Sequence, residues 1–267
     1  MNCERHPASS ATHRTLPPVL LIQAGTPPDA LKSEHGDLPV WFINAMNLAP
    51  DAIQIVKVFN GDPLPQPDPH QVAVITGSWD MVTDKLPWSE ETARWIRRAI
   101  KAQMRLFGVC YGHQLMAYAL GGTVDYLPQS REMGCLEITL TQSGINDPLT
   151  SALSQGFFAH LTHQQTVTKL PAGAQSLAFS ALDQHQIIRY SENAVSTQFH
   201  PEFTPQIAAS LIDLRSNTLL SEGFDPAAMR DALTDTADAT NLLKTFIADH
   251  LDPALTNLSQ GDDCNNH

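Results

Sequence analysis

Residues 106–122 read LFGVCYGHQLMAYALGG, and this stretch decides how the rest of the chain is interpreted. Leu106–Val109 is a short apolar run typical of a buried strand, and His113–Leu120 has helical spacing and stops at two glycines. Cys110 stands between them in the sequence Gly-Val-Cys-Tyr-Gly. A strand, a glycine-flanked cysteine and a helix in this order are the thiol counterpart of the Gly-x-Ser-x-Gly nucleophile elbow.

The composition of this elbow has a physical reason. A nucleophile on a sharp, strained turn needs small neighbours, here Gly108 and Gly112. The N-terminus of the following helix favours the thiolate of Cys110, and the N–H of Tyr111 is placed to stabilise an oxyanion. The alternative is a buried structural cysteine beside turn glycines, which suits Cys135 better because only Cys110 has the strand and helix around it.

The elements upstream of the elbow alternate between strand and helix. Short apolar runs predict strands at Val19–Ala24, Ile53–Phe59 and Val72–Ile75. Helical spacing predicts Val40–Leu48 and Trp88–Gln103 as helices. This alternation favours an α/β fold: a flavodoxin-like, open, mostly parallel sheet with helices on both faces.

The second half of the chain predicts an antiparallel β extension and then a C-terminal helical extension. The strand candidates are Leu136–Leu140, Thr166–Leu170, Ser176–Phe179, Gln186–Tyr190 and Ala194–Phe199. The helix candidates are Pro205–Leu220, Pro226–Leu233 and Thr240–Leu251. We divide the chain into a flexible N-terminal segment (1–17), the main domain (18–203), its helical extension (204–255) and a polar acidic tail (256–267).

A second motif, QFHPEF at 198–203, follows the last predicted strand. In an extended chain residues two apart point to the same side, so His200 and Glu202 can face one cleft. The imidazole can take a thiol proton, and the carboxylate can fix its tautomer and support its charged form. With 11 histidines in the chain this motif alone is weak, but beside the elbow it predicts a triad of Cys110, His200 and Glu202.

The overall composition excludes several classes of protein. Lys and Arg number 16 against 28 Asp and Glu, a net charge of −12, so we expect no nucleic-acid partner. Residues 204–267 contain three basic and ten acidic residues and so carry −7 of this net charge, which suits solubility or a partner surface. No apolar run is long enough for a membrane span, and the N-terminus does not read as a secretory signal. Four cysteines without pairwise spacing favour a reducing, cytoplasmic location.

With both motifs in place, the chain resembles the class I glutamine amidotransferases, whose triad is Cys-His-Glu. The resemblance rests on the elbow GVCYGHQLMAYALGG and on QFHPEF, in the expected order, with His200 lying 90 positions after Cys110. A third segment, ITGS at 75–78, stands where the family places its oxyanion-hole glycine. The resemblance is closest to stand-alone members related to the glutaminase domain of GMP synthase.

The resemblance implies a role for each matched residue. Cys110 would attack the γ-carboxamide carbon of glutamine, and His200 would act as base and then as acid toward the leaving ammonia. Glu202 would orient His200. The backbone N–H groups of Gly77 and Tyr111 would form the oxyanion hole. Water would then hydrolyse the γ-glutamyl thioester to glutamate.

The resemblance also implies substrate-binding residues: Gln114 one helical turn beyond the nucleophile, and His163 and Gln164 in a loop that holds the substrate's amino-acid end. Residues 131–135 (REMGC) lack the aromatic of the family's Glu-Ile-Gly-Trp-like segment. We expect no cofactor and no metal. His160 and His163 have no Cys, Asp or Glu nearby at ligand spacing, which favours structural histidines.

Three functions stay open at this point. The first is a glutamine-hydrolysing amidotransferase, the second a γ-glutamyl peptidase acting on another γ-glutamyl amide, and the third a non-catalytic regulatory protein. The chain has neither a Ser-Gly-Gly-x-Asp-Ser-type loop nor a Gly-x4-Gly-Lys-Ser/Thr loop. Any acceptor chemistry is therefore expected on a synthetase subunit in trans.

Overall fold

The computed structural model describes residues 17–128 and 131–249. The predicted flexible segment, apart from residue 17, and the predicted acidic tail therefore lie outside the described residues. The division between residues 203 and 204 stays a prediction. No helix in the described ranges is long and apolar enough to cross a membrane.

Strands and helices alternate along the first half of the chain, and strands dominate the middle. The described ranges contain eleven strands: β1 (Val19–Gln23), β2 (Ile53–Lys57), β3 (Val72–Ile75), β4 (Arg105–Val109), β5 (Thr123–Tyr126), β6 (Glu132–Leu140), β7 (Gly156–His163), β8 (Gln165–Lys169), β9 (Gln175–Phe179), β10 (Ile187–Ser191) and β11 (Ala194–Thr197). The same ranges contain nine α-helices: α1 (Asp29–His35), α2 (Leu38–Met46), α3 (Pro87–Lys101), α4 (Tyr111–Ala119), α5 (Gln142–Asn146), α6 (Pro205–Leu214), α7 (Ser216–Ser221), α8 (Pro226–Asp231) and α9 (Ala237–Ala248).

The main sheet has nine strands in the order β2-β1-β3-β4-β11-β10-β9-β6-β7. The first five strands of this order pair in parallel. Numbered by their sequence order among themselves, with β11 as the fifth, they follow the 2-1-3-4-5 order of flavodoxin-like folds. The other four strands continue the sheet with antiparallel pairing, while β5 and β8 form a separate ribbon. The predicted α/β fold with an antiparallel extension is confirmed.

The central strands are buried because helices cover both of their faces. Successive residues of a strand point to opposite faces, so each strand feeds two cores. Leu21 of β1 and Phe107 of β4 belong to a core that includes Phe42 and Phe246 from α2 and α9. Their neighbours in the strands belong to the opposite core, which includes Trp95 of α3. This layering fixes the carboxyl ends of β3, β4 and β11 at one edge, where ligand sites of open α/β sheets lie.

Two strands (β5 and β7), two helices (α1 and α5) and one helix break were not predicted. β7 carries two histidines among apolar residues, and β5 has only four residues, so neither shows a clear apolar run. Pairing with neighbours across the sheet, rather than local pattern, makes them strands. The predicted helix Pro205–Leu220 is wrong as one element, because it breaks at Arg215 into α6 and α7. The helix after the elbow begins at Tyr111, two residues before the predicted start.

Candidate active site

Cys110 occupies the turn between β4 and α4 with φ 51° and ψ −100°. A side-chain-bearing residue at positive φ costs conformational energy and persists only when its surroundings enforce it. Here the Cys110 N–H donates to Thr197 O at 2.8 Å, and the Gln114 N–H donates to Cys110 O at 3.0 Å. The strained turn is therefore held by β11 on one side and by the first turn of α4 on the other.

The two glycines that flank Cys110 are required by close packing. A Cβ atom at Gly112 would lie 2.4 Å from the carbonyl oxygen of Ile75, so α4 begins directly against the end of β3. A Cβ atom at Gly108 would lie 2.7 Å from Gly112 O. Both distances are shorter than van der Waals contact with backbone allows. The glycine pattern thus has a steric cause at this site.

His200 lies beside this elbow and is held by Glu202. The His200 Nδ1 atom is 2.7 Å from Glu202 Oε1, and both side chains are buried. The imidazole ring stacks on the Phe203 ring with centroids 4.0 Å apart. The backbone N–H of His200 donates to the backbone oxygen of His160 at 2.9 Å. Within the described chain Nε2 has no oxygen or nitrogen partner, so this ring nitrogen is left for Cys110.

The electrostatics of the pair favour a thiolate and an imidazolium. Burial alone would raise the pKa of the Cys110 thiol, but the charge of His200 and a hydrogen bond with it outweigh burial and lower that pKa. Burial alone would lower the pKa of His200, yet the charges of Glu202 and Cys110 raise it well above its ordinary value. The thiolate is the nucleophilic form of cysteine, so the geometry prepares Cys110 for attack.

Gly77 and Tyr111, the two residues predicted to supply the oxyanion hole, lie beside Cys110. Gly77 follows β3, and a Cβ atom there would lie 3.3 Å from His200 Cε1 and 3.7 Å from Cys110 Cβ. Any side chain at this position would press on the imidazole. Tyr111 is the first residue of α4, so its N–H has no partner within the helix. The structure therefore brings the predicted oxyanion-hole residues together around Cys110.

The three residues predicted to bind substrate line one pocket with Cys110: Gln114, His163 and Gln164. The Nε2 group of Gln114 donates to Gln165 O at 2.7 Å and to Gln198 Oε1 at 2.9 Å. Both amide hydrogens of Gln114 are thus used within the protein. Gln164 is half-buried at the turn between β7 and β8.

His163 forms a buried ion pair that sequence reasoning missed. Its Nε2 atom lies 3.0 Å from Glu132 Oε2, since Glu132 on β6 is directly opposite His163 on β7. Ser180 and Gln186 also donate to this carboxylate. Burial opposes protonation, but the hydrogen bond that His163 donates to Glu132 and nearby negative charge raise the pKa of His163. The only signal in the sequence is the REMGC segment, which contains Glu132.

The same place brings together three groups that could in principle hold a metal, because ligand atoms of Glu132, His163 and Asp183 lie within 4.8 Å of one another. The sequence showed no carboxylate at ligand spacing from His163, because strand pairing rather than sequence proximity brings Glu132 to it. However, His163 Nδ1 is 2.9 Å from Gln165 O and Nε2 faces Glu132, so a protonated ring offers no lone pair to a metal. His160 is three residues earlier on β7 and so points to the opposite face.

Arg215 is a second residue that the sequence did not single out as part of the site. It lies at the break between α6 and α7 and lines both pockets that contain Cys110. Its Nη1 group donates to Thr162 Oγ1 on β7. The only signal was that residues 204–267 contain just three basic side chains, of which Arg215 is one.

A flavodoxin-like sheet with a cysteine at a strand-to-helix elbow, beside a buried His-Glu pair, defines an α/β protein of the nucleophile-elbow class. The family model "Glutamine amidotransferase class-I" matches residues 65–213. The chain belongs to this family, and the predicted resemblance is confirmed.

Similarity to known proteins and to a solved structure is consistent with this family and fold. The chain is 25% identical over 186 residues to gamma-glutamyl peptidase 5 of Arabidopsis thaliana, covering 67% of this chain and 74% of that protein. It is 33% identical over 104 residues to GMP synthase [glutamine-hydrolyzing] of Porphyromonas gingivalis, covering 39% of this chain and 20% of that protein. The crystal structure of a glutamine amidotransferase from Thermotoga maritima superposes with a TM-score of 0.69 at 18% identity, covering 88% of this chain and 98% of that one.

Proposed function

We propose that the protein hydrolyses a γ-glutamyl amide through a covalent γ-glutamyl thioester on Cys110. The observation that carries this proposal is the strained elbow, which places the Cys110 thiol beside an imidazole held by Glu202. The lowered pKa of Cys110 supports a thiolate in the resting protein. The family supports hydrolase chemistry of this type.

In the first half of the reaction, the Cys110 thiolate attacks the γ-carbonyl carbon and forms a C–S bond. The N–H groups of Gly77 and Tyr111 stabilise the resulting oxyanion. When the tetrahedral intermediate collapses, the C–N bond breaks and the His200 imidazolium gives its proton to the leaving amine. The γ-glutamyl thioester then remains on Cys110.

In the second half, water attacks the thioester carbon while neutral His200 accepts a proton from it. The C–S bond breaks, glutamate leaves, and the thiolate and imidazolium are restored. Glu202 supports the charged form of His200 in both halves. The side chains described above supply every proton transfer, so the proposal needs no cofactor.

Two substrates fit this mechanism. Glutamine is the first, with ammonia as the leaving group, and its acceptor on a synthetase subunit in trans stays a prediction. A γ-glutamyl peptide is the second. It is favoured by the breadth of similarity to gamma-glutamyl peptidase 5, which covers 74% of that protein, whereas similarity to the GMP synthase covers 20%.

A substrate panel tests the proposal and separates the two substrates. Glutamine, γ-glutamyl dipeptides and a glutathione conjugate are incubated with the wild-type protein, with Cys110→Ala and with Cys135→Ala as the matched control. We expect glutamate release by wild type and Cys135→Ala, and a loss of about four orders of magnitude or more in Cys110→Ala. Ammonia from glutamine favours the first substrate, and faster cleavage of peptides favours the second.

Two results would contradict the enzyme proposal. Retained turnover in a folded Cys110→Ala protein would exclude Cys110 as the nucleophile. Absence of turnover with the whole panel, together with failure of a glutamine-analogue electrophile to label Cys110, would favour the non-catalytic alternative.

A further inference from the structure

A guanidinium group from the helical extension reaches into the pocket of Cys110. Arg215 lies where α6 ends and α7 begins, and it borders both cavities that adjoin the sulfur. Ser78, Trp79 and Thr162 line the same two cavities. The position is fixed by the helix break and by the hydrogen bond from Arg215 to Thr162 Oγ1.

Arg215 keeps most of its donor capacity. A guanidinium carries five N–H donors in a planar fork, and one of them is used on Thr162. Among the ion pairs of residues 17–128 and 131–249, none includes Arg215. The negative charge of Glu222 raises the pKa of Arg215, but the Glu222 carboxylate accepts its hydrogen bonds from Arg131, at 2.6 and 2.7 Å.

Such a cation is poorly compensated by the protein around it. Burial lowers the pKa of Arg215 and the charge of Arg131 adds to this, while the negative charge of Cys110 raises it. Arginine nevertheless stays protonated in proteins, so the pocket holds a fixed positive charge. A desolvated charge is costly unless an anion pairs with it. The pocket is therefore suited to an anionic ligand.

We propose that Arg215 binds the α-carboxylate of the γ-glutamyl substrate and so selects for substrates with a free carboxylate at that end. This inference rests on the proposed function. When the γ-carbonyl carbon of the substrate lies at the Cys110 sulfur, two methylene groups and the α-carbon separate that carbon from the α-carboxylate. The α-carboxylate therefore stays within the same small pocket, which Arg215 also lines. The planar fork of arginine fits both carboxylate oxygens. His163, the other pocket cation, already uses both ring nitrogens.

A comparison of two substrates separates recognition from a structural role. The active substrate of the panel is compared with its α-amide, which has the same shape and no α-carboxylate. In Arg215→Met we expect KM for the carboxylate substrate to rise on the order of 10- to 100-fold, with little change in kcat. KM for the α-amide should change little, and Arg215→Lys should restore part of the difference.

Two variants serve as controls. Thr162→Val removes the hydrogen-bond partner of Arg215 but keeps the cation, so the preference for the carboxylate should persist. Arg98→Met removes an exposed cation on α3 that lines neither pocket of Cys110, and it should leave both KM values unchanged. Equal losses of Arg215→Met toward the carboxylate and the amide would overturn the proposal and indicate a packing role. The proposal would also be overturned if Arg215→Met slowed the alkylation of Cys110 by neutral iodoacetamide but left the preference for the carboxylate over the amide unchanged. That result would indicate that Arg215 stabilises the thiolate.

A protection assay keeps this proposal testable if the proposed function fails. L-glutamate and its α-amide, isoglutamine, are compared as protectants of Cys110 against iodoacetamide. We expect glutamate to protect the wild-type thiol and isoglutamine to protect it weakly, with the difference lost in Arg215→Met. Equal protection by both compounds, or none in the wild type, would overturn carboxylate recognition whatever the substrate panel shows.

Discussion

The Nδ1 atom of His200 lies 2.7 Å from Glu202 Oε1, although only Pro201 separates the two residues. One ring nitrogen is thus fixed by a carboxylate, and the other is left for Cys110. The C-terminal helices support this geometry, because Thr240 Oγ1 of α9 donates to Pro201 O at 2.9 Å. Glu202 therefore acts on the thiol indirectly, because it stabilises the positive charge of the His200 imidazole that lies between them.

The charge of His200 should control the ionisation of Cys110. In His200→Gln this charge is lost while burial remains, so the pKa of the thiol should rise. In wild type, the rate of alkylation of Cys110 by iodoacetamide should rise with pH at values below the ordinary thiol pKa of about 8.5. In the variant this rise should move to higher pH. Identical pH profiles in the two proteins would mean that His200 does not set the ionisation of Cys110.

Glu202 should matter less than the nucleophile. We expect Glu202→Gln to reduce kcat/KM on the order of 10²- to 10³-fold, because the imidazole remains but loses its orienting charge. The charge of Glu202 raises the pKa of His200, so in the variant this pKa should fall. Protonated His200 serves the leaving group, and the alkaline fall of kcat/KM should therefore begin at lower pH. A loss as large as that of Cys110→Ala would mean that Glu202 does more than orient His200.

The elements that the sequence predicted are those whose cause is local. The elbow is a short segment whose glycines have steric reasons nearby, and His200 and Glu202 share a side because they are two residues apart. The Glu132–His163 pair depends instead on the register between β6 and β7, which no local pattern encodes. Arg215 depends on a helix break that turns its side chain toward Thr162, whereas the local pattern predicted one unbroken helix there.

The contact between α4 and β3 should make Gly112 intolerant of any side chain. A Cβ atom in Gly112→Ala would lie 2.4 Å from a backbone oxygen of β3, so either the elbow or the sheet must shift. We expect a lower melting temperature and a marked loss of Cys110 reactivity. Gly156→Ala is the matched control, because its Cβ atom meets only the movable end of the Glu137 side chain at 2.9 Å. A Gly112→Ala protein with wild-type stability and reactivity would contradict this steric account.

The buried Glu132–His163 pair should contribute a pH-dependent share of the stability. Because the pKa of His163 is raised in the folded protein, its contribution is fully present below the unfolded value of about 6.5 and is lost as pH rises through the folded value. Glu132→Gln removes the partner charge and should destabilise the protein by about 3–5 kcal/mol at low pH. The free energy of unfolding by urea is compared between the two proteins at about pH 6 and about pH 9.

The difference between wild type and Glu132→Gln should be largest at the lower pH and shrink at the higher one, since neutral His163 no longer needs the carboxylate charge. Subtraction of the two proteins at each pH cancels the titration of groups that they share. His35 is partly buried and contacts Ser210 and Glu34 rather than Glu132, and His35→Gln serves as the control for loss of a histidine. A difference that grows with pH would have the wrong sign for a raised His163 pKa. A difference that stays the same at both pH values would mean that His163 is neutral in the folded protein and that Glu132 acts only as a hydrogen-bond acceptor.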